Sequence, residues 1–496
     1  MENDEEQENL LDGEDCLVTH NDHDIRGGGV RRLSIDKAIE TAGFGRFHIF
    51  MVIVMGWANS ADTIELLSIS FVLPQASCEL HATDLELGFL TAVGFAGMII
   101  GSYFWGTFAD IKGRIKALLL CQLVNAVFIV LSSVSQNLPF LICMRLFSGF
   151  GVGGTAPLIF VYVVEILPAK HRGKMTAVLS CCFMVGQVLV AGMAWLILPH
   201  TEWTWTTSTG FTYNSWRIFM LLSSLPVGRV EDAKAVIKRI YEKNGNARPY
   251  DENYIITHQR GSNSRGSMKE ILSGVGRNTV ALVTRPKVRF RFLISSIVLF
   301  CLSFSYYGLT MWFPTLLERM EASQGTSVCD DKLPAANTSK CDGDLSNNAV
   351  YFDTFLQAVS SLPGNVLYFL LVDVIGRKLL TGVSMILTGI SVFFIWFVSS
   401  HTGSIVLSCV FAGISVVSWN ATSLLTTEIF PTELRSTAKG VQGALANRVA
   451  SVLATLVFGA LVSTYCAVPI LLMSCLLISG GIITYKLPNT ANASIE

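Results

Sequence analysis

Long apolar segments constrain this chain more than any other feature of its sequence. Runs of about 20 apolar residues recur between positions 47 and 485, and such runs are long enough to cross the hydrocarbon core of a bilayer. Of the 496 residues, 51% are hydrophobic and 15% are charged, whereas an ordinary soluble protein has about 25% charged residues. These values exclude a soluble globular enzyme, a disordered chain and a nucleic-acid-binding protein. They predict an all-α polytopic membrane protein.

Eleven of the apolar segments are long enough to span a bilayer as helices. A twelfth segment, 218–227, is too short to do so. The predicted spans are residues 47–73, 85–108, 115–135, 138–167, 174–198, 292–313, 351–372, 379–399, 404–427, 440–462 and 467–485.

Charge is distributed unevenly, although the net charge is only −1. Residues 1–25 contain ten acidic side chains and no Lys or Arg, whereas residues 228–291 contain fourteen Lys and Arg and six acidic side chains. Because Lys and Arg concentrate in cytoplasmic loops, we expect the basic segment in the cytoplasm. The predicted divisions are an acidic cytoplasmic tail (1–46), an N-terminal bundle (47–227), a basic cytoplasmic loop (228–291), a C-terminal bundle (292–486) and a C-terminal tail (487–496).

Short motifs in two polar segments indicate the cellular context. Glu6, Leu10 and Leu11 fit the acidic dileucine pattern that clathrin adaptors bind, with an ordinary acidic tail as the alternative. The polar connection after the sixth predicted span contains the glycosylation acceptor Asn337 and a cysteine pair, Cys329 and Cys341, that could form a disulfide outside the cytoplasm. These motifs favour a vesicular, endosomal or plasma membrane, with the N-terminus in the cytoplasm.

An internal repeat divides the chain into two halves. Two separate motifs of the first half recur in the second, and both recur 263 residues later. A shared offset indicates two parallel halves joined by the basic loop, an arrangement known in secondary transporters. The copies are Asp110-Ile-Lys-Gly113-Arg114 with Asp373-Val-Ile-Gly376-Arg377, and Glu165-Ile-Leu-Pro-Ala-Lys-His-Arg172 with Glu428-Ile-Phe-Pro-Thr-Glu-Leu-Arg435.

The repeated motifs lie in short turns at the ends of predicted spans. Glycine permits a sharp chain reversal, and the acidic and basic side chains can pair with each other or with neighbouring helix ends. Simple anchoring by positive charges is the alternative. The repetition favours a conformational latch between helices that separate and re-form, so we predict that these motifs act in gating. We also assign Arg145, in the fourth span, to this set of gating residues, because its position suits a residue that organises helix packing.

Two acidic residues, Asp62 and Glu65, lie within the first predicted span, three positions apart and therefore on one helical face. A carboxylate at the centre of a membrane helix costs about 2.5–3.5 kcal/mol and usually faces a cavity or a partner. We predict proton coupling or cation binding, with solvated acids near a membrane surface as the alternative. Arg448 could be their counter-ion, bind an anionic substrate group, or extend to the cytoplasmic surface.

Several aromatic residues are candidates for the walls of a substrate cavity, where their faces could stack on rings or attract cations. Trp195 and Trp312 lie near span ends, which also fits an interfacial belt. Tyr306, Tyr307 and Trp419 lie deeper, and Asn420 adds an amide that could orient a polar ligand.

Parts of the sequence resemble a known transporter family. Two segments resemble signatures of the major facilitator superfamily, namely Gly106-Thr-Phe-Ala-Asp-Ile-Lys-Gly-Arg-Ile-Lys116 and Arg145-Leu-Phe-Ser-Gly-Phe-Gly151. Three further segments are similar to its synaptic vesicle glycoprotein 2 group, namely Trp195-Leu-Ile-Leu-Pro-His200, Ser305-Tyr-Tyr-Gly-Leu-Thr-Met-Trp-Phe-Pro314 and Ser418-Trp-Asn-Ala421.

The resemblance implies two six-helix bundles, a central cavity and alternating access. It also implies an acidic pair at the position of Asp62 and Glu65 and a basic residue at that of Arg448. The sequence departs from the synaptic-vesicle members at Ser423, where they carry an acidic residue, so a shared ligand specificity does not follow. It also departs at the sixth helix, which the resemblance implies to be full length. Here that helix is truncated, and insertion with eleven spans and a flipped C-terminal end is one expected outcome.

Together, these features predict a secondary active transporter for a small organic solute, coupled to a proton or cation and surrounded by membrane lipids. No set of residues indicates an enzyme, a cofactor or a metal site. The alternative is a non-transporting vesicle-membrane protein that regulates trafficking by binding partners, which the truncated sixth helix and the dileucine motif favour.

Overall fold

A computed structural model describes residues 31–33, 45–167, 169–208, 210–228, 254–256, 279–322, 348–398, 400–462 and 467–488. Several predictions lie outside the described residues. They concern the dileucine residues Glu6, Leu10 and Leu11, the acceptor Asn337, the pair Cys329 and Cys341, and the side chains of Asp110, Glu165, Arg172 and Asp373.

Among the described residues, six helices form the first half of the molecule. They are α1 (Arg46–Glu79), α2 (Asp84–Lys112), α3 (Arg114–Ser133), α4 (Leu138–Ile166), α5 (Ala169–Ile197) and the short α6 (Ser215–Gly228). Strands β1 (Arg31–Leu33) and β4 (Tyr254–Ile256) pair in parallel, and β2 (Trp205–Thr206) pairs with β3 (Thr212–Tyr213) as an antiparallel hairpin between α5 and α6.

The helices of the second half repeat this order. They are α7 (Pro286–Ala322), α8 (Asn348–Ile375), α9 (Arg377–Phe397), α10 (His401–Glu428), α11 (Thr432–Val441), α12 (Val449–Leu461) and α13 (Ala467–Thr484). A π-helical segment, Gln442–Arg448, joins α11 to α12, so the three form one continuous span.

Eleven helices of the described chain are long and apolar enough to cross a membrane, in agreement with the eleven predicted spans. The predicted boundaries differ most in the first span, which continues past Pro74 to Glu79, and in the sixth, which extends at both ends as α7.

The internal repeat is visible in the backbone. Gly113, between α2 and α3, and Gly376, between α8 and α9, have φ values of 96° and 85°, a left-handed conformation that glycine adopts without strain. The close helix contacts repeat as well: Gly101 lies against the Phe150 backbone, and Gly364, 263 positions later, lies against that of Gly413. Both halves therefore fold in the same way.

The two halves meet through the helix pairs α2–α12, α5–α8 and α1–α7. Gly88, near the start of α2, packs on Gly459, near the end of α12, and Gly192, near the end of α5, lies beside Phe355, near the start of α8. Both pairs are antiparallel, so the second half has the same orientation as the first. The second half is therefore not flipped relative to the first in the described residues, and the number of times that the chain crosses a membrane stays a prediction. We call the end with the β2–β3 hairpin the hairpin end, and the end with Gly113 and Gly376 the motif end.

The short helix α6 occupies the position of a sixth bundle helix, packed against α1, α3 and α5. Its fourteen residues rise about 21 Å, against a hydrocarbon core of about 30 Å. Arg217, completely buried near its first turn, lies 2.6 Å from Glu79 of α1 and donates two hydrogen bonds to the Ser135 carbonyl oxygen. Trp216 Nε1 also donates to Glu79, at 2.7 Å. A polar cluster thus fixes α6 at the hairpin end.

Candidate functional site

A buried ion pair lies at the centre of the first half. Glu65 Oε1 is 2.6 Å from Arg145 Nη1, and the two side chains are 2% and 5% exposed. Ser148 also donates a hydrogen bond to Glu65. Arg145 therefore lies within α4 opposite Glu65, away from the loops that carry the gating motifs. The sequence did not indicate this pairing, because 80 residues separate the two partners.

Asp62, one turn before Glu65 on α1, is also buried but has a different charge environment. Its Oδ1 atom lies 3.5 Å from Gln122 Nε2, and Oδ2 has no hydrogen-bond partner among the described residues. Arg448, from the second half, lies within electrostatic range of this carboxylate but forms no ion pair with it among the described residues. The counter-ion role of Arg448 therefore stays a prediction for Asp62, whereas the carboxylate of Glu65 is already paired with Arg145.

An aromatic cluster, formed by Tyr306, Tyr307 and Trp419, joins α7 to α10. The three ring centroids lie 5.2–5.9 Å apart with interplanar angles of 69–82°, an edge-to-face geometry that aromatic rings prefer. Phe95, from α2 of the first half, packs on Tyr307 at 5.1 Å. The structure therefore brings together three predicted substrate residues and adds Phe95, which the sequence did not single out.

Asn420 belongs to a hydrogen-bond chain that crosses from one half to the other. Its Nδ2 atom donates to Asn365 Oδ1 at 2.8 Å, and Asn365 Nδ2 donates to the Cys181 sulfur at 2.9 Å. Asn365 lies on α8 and Cys181 on α5, and neither was a predicted site residue. Polar residues at this depth are common in membrane proteins, so the sequence does not single these residues out. Only the three-dimensional contacts reveal that they are hydrogen-bonded to one another.

The other two tryptophans that the sequence analysis singled out, Trp195 and Trp312, lie outside the aromatic cluster. Trp195 stacks on Phe355 of α8, with centroids 5.5 Å apart, where the halves meet at the hairpin end. Trp312 is completely buried and stacks on Phe458 at 5.2 Å. The interfacial-belt prediction is therefore wrong for Trp312, because α7 extends nine residues beyond the predicted span and places it inside the bundle.

The repeated motifs contact each other in the second half. Arg377, at the start of α9, lies 3.3 Å from Glu428, at the end of α10, and both side chains are largely buried. Arg435 Nη2 donates to the Phe430 carbonyl oxygen at 3.4 Å. The two motifs thus connect neighbouring helices at the motif end, and their role as a latch stays a prediction. In the first-half copies of these motifs, the residue equivalent to Arg377 is Arg114, which is the first residue of α3.

Comparison with known proteins identifies the class. Residues 49–329 match the Major Facilitator Superfamily, and residues 345–496 match the family described as "Sugar (and other) transporter". Among solved structures, the xylose transporter XylE of E. coli in a partially occluded inward-open conformation is similar, with a TM-score of 0.63 and 16% identity over 91% of this chain and all of that one.

Among curated relatives, synaptic vesicle glycoprotein 2C of Mus musculus is 30% identical, over 91% of this chain and 80% of the relative. Synaptic vesicle glycoprotein 2A of Rattus norvegicus is 28% identical, over 93% and 80% respectively. The chain belongs to the major facilitator superfamily and is a multi-pass membrane protein with that fold. The match to the mouse relative extends over 582 residues, more than the 496 of this chain, so the relative carries insertions.

Proposed function

We propose that the chain is a secondary active transporter that moves a small organic solute by alternating access, coupled to a proton or a cation. The observation that carries the proposal is the arrangement of central charges. Glu65 has its counter-ion, Arg145, inside the same half, whereas Asp62 is buried with one unpaired carboxylate oxygen and lies within electrostatic range of Arg448 of the other half. The charge on Asp62 therefore acts directly on the contact between the halves.

Coupling follows from the electrostatics of this contact. Opposite charges attract strongly where water is scarce, so ionised Asp62 would attract Arg448 across the contact between the halves. A proton or cation that binds Asp62 removes or weakens this attraction. The halves can then rearrange more easily when the coupling ion is bound, which links ion binding to alternating access. Glu65, held by Arg145, keeps its charge balanced within α1 and α4 throughout.

The solute would contact Tyr306, Tyr307, Trp419 and Asn420. Three aromatic rings beside an amide suit a small molecule with an apolar body and a polar group. Trp195, by contrast, would close the hairpin end through its stack on Phe355. It would therefore control the access of the solute to the cavity.

The motif end would face the cytoplasm, where the latch between Arg377 and Glu428 opens and closes during the cycle. The first-half copies, Asp110, Arg114, Glu165 and Arg172, would form the matching latch, and Glu6, Leu10 and Leu11 would direct the protein to vesicles through clathrin adaptors. The names of the synaptic vesicle relatives support a vesicular location.

Uptake into liposomes that contain the purified full chain tests the proposal. A library of labelled small organic solutes is screened with an imposed pH gradient, and protein-free liposomes serve as the blank. Asp62→Asn should abolish gradient-driven uptake, whereas Glu202→Gln, which changes an exposed carboxylate in the loop after α5, should leave it unchanged. Equal gradient-driven uptake by wild type and Asp62→Asn would refute the role of Asp62.

The alternative function is regulation of vesicle trafficking by partner binding without transport. The specific observation in its favour is the fourteen-residue α6, which is shorter than the hydrocarbon core is thick. If no solute of the library moves while the chain still binds partners from synaptic-vesicle extracts, this alternative is supported and the transporter proposal fails.

A further inference from the structure

Lys439 carries a positive charge whose partners among the described residues are neutral. Lys439 lies on α11, and its Nζ atom donates to the carbonyl oxygen of Ser423 at 2.7 Å and to the Ser423 hydroxyl at 3.0 Å. An ammonium group has three donors, so one donor remains available. The full charge of Lys439 also remains available to a negatively charged group.

Ser423 places this charge next to the aromatic cluster. Ser423 follows Trp419 by four residues on α10, so the two side chains lie on one face of the helix. Trp419 packs on Tyr306 and Tyr307, and Ser423 is exposed one turn nearer the motif end. A ligand whose ring contacts the cluster could therefore extend a polar group to Ser423 and Lys439.

Two carboxylates described in the second half have other partners. Glu428 lies 3.3 Å from Arg377, and Asp353 lies 2.9 Å from His401. On the first half, Asp62 faces Arg448. The positive charge of Lys439 is thus not balanced by any of these three carboxylates.

The helix that follows Lys439 is irregular. The π-helical segment Gln442–Arg448 ends at Arg448, and the buried atoms Asn447 Oδ1 and Arg448 Nη1 have no hydrogen-bond partner among the described residues. Gln442 fixes the segment to α7 by donating to Ser295 Oγ at 2.6 Å. Short π-helical segments within α-helices occur frequently at functional sites. The helix that carries Lys439 thus also carries unpaired polar atoms.

We propose that Lys439 and the Ser423 hydroxyl bind an anionic oxygen group, such as a carboxylate, sulfonate or phosphate, of a small aromatic or aliphatic solute. The hydroxyl can rotate to donate a hydrogen bond to the anion, and the ammonium adds a charge-assisted bond. This subsite rests on the proposed transport function and names its substrate class as organic anions. Arg448 is not part of this subsite and keeps its proposed role beside Asp62.

The test measures binding without transport. The purified full chain in a neutral detergent is unfolded by heat, followed by tryptophan fluorescence, with sodium benzoate or neutral benzamide added at constant ionic strength. Benzoate should raise the midpoint of wild type and benzamide should not. Lys439→Gln and Ser423→Asp should weaken benzoate binding by about tenfold or more, because charge-assisted hydrogen bonds contribute about 1.5–3 kcal/mol.

Two controls exclude a general loss of structure. Lys486→Gln removes an exposed lysine of the second half and should bind benzoate like wild type. Lys439→Arg keeps the charge and should retain binding. Equal benzoate stabilisation of wild type and Lys439→Gln would overturn the proposal. So would stabilisation by anionic phosphatidylglycerol alone, because the charge would then bind a lipid headgroup.

The same probe separates this proposal from the transporter proposal. If benzoate binds through Lys439 but no solute is transported, the anion subsite is supported and the transport function fails. If pH-driven uptake depends on Asp62 but neither benzoate nor any anionic solute of the library depends on Lys439, the transporter stands and the anion subsite is refuted.

Discussion

Removal of one member of the Glu65–Arg145 pair should strongly destabilise the first half. The pair is 2.6 Å apart and its side chains are 2% and 5% exposed, so water does not screen a charge left behind. Breaking a buried pair in this way costs about 3–5 kcal/mol, whereas replacing both members by neutral groups costs much less. Glu65→Gln and Arg145→Met should each lower the unfolding free energy by that amount, and the double variant should recover a large part.

Unfolding by sodium dodecyl sulfate in mixed micelles, followed by tryptophan fluorescence, measures these values as a double-mutant cycle. The coupling energy should reach about 2–3 kcal/mol, at the upper end for residues in direct contact. Glu202→Gln, at an exposed carboxylate, serves as the control and should change stability by less than about 0.5 kcal/mol. Single-variant effects below about 1 kcal/mol that simply add in the double variant would refute the buried pair.

Three further substitutions test the packing. Trp312→Ala should cost about 3–5 kcal/mol in the same assay, because the ring is completely buried, whereas Trp205→Ala, at a ring 62% exposed, should cost less than about 0.5 kcal/mol. Gly364→Ala should destabilise because its Cβ would overlap the backbone of α10, while Gly106→Ala, where nothing lies within 4 Å, should not. Arg217→Met should release α6 and speed protease cleavage of the adjacent hairpin; an unchanged cleavage rate would contradict the anchor.

The spans and the repeat could be predicted because their signals are local. Helices long enough to cross the bilayer leave runs of apolar residues, and the turn at Gly113 needs a residue that tolerates a positive φ. The same glycine at position 376 therefore predicted the same turn in the second half. These features depend on neighbours within a few residues, which the sequence displays directly.

The pairing of charges could not be predicted, because it depends on which helices meet. Asp62 and Glu65 lie one turn apart and look equivalent in sequence, yet Glu65 pairs with Arg145 and Asp62 has no ion-pair partner among the described residues. Only the packing of α1 against α4 and the second half distinguishes them. The contact of Lys439 with Ser423 is invisible for the same reason.

The sixth helix shows that the length of an apolar segment alone was not sufficient to predict how this part of the chain folds. Length alone indicated that 218–227 could not complete the first bundle. The structure starts α6 three residues earlier and fixes its first turn through Arg217 and Glu79, so a fourteen-residue helix takes the sixth position. A buried polar cluster thus replaces part of the apolar contact that a longer helix would make, a feature that hydropathy does not report.

The separation of the two halves at the hairpin end tests most directly whether Asp62 couples ion binding to alternating access. Spin labels on non-natural residues at Leu85 of α2 and Val468 of α13, both exposed near that end, report this distance by double electron–electron resonance in liposomes. Wild type should show one short distance at alkaline pH and gain a longer one as the pH is lowered. Asp62→Asn, which lacks the attraction to Arg448, should show the longer distance at both pH values. Identical distance distributions for wild type and Asp62→Asn at every pH would contradict this mechanism.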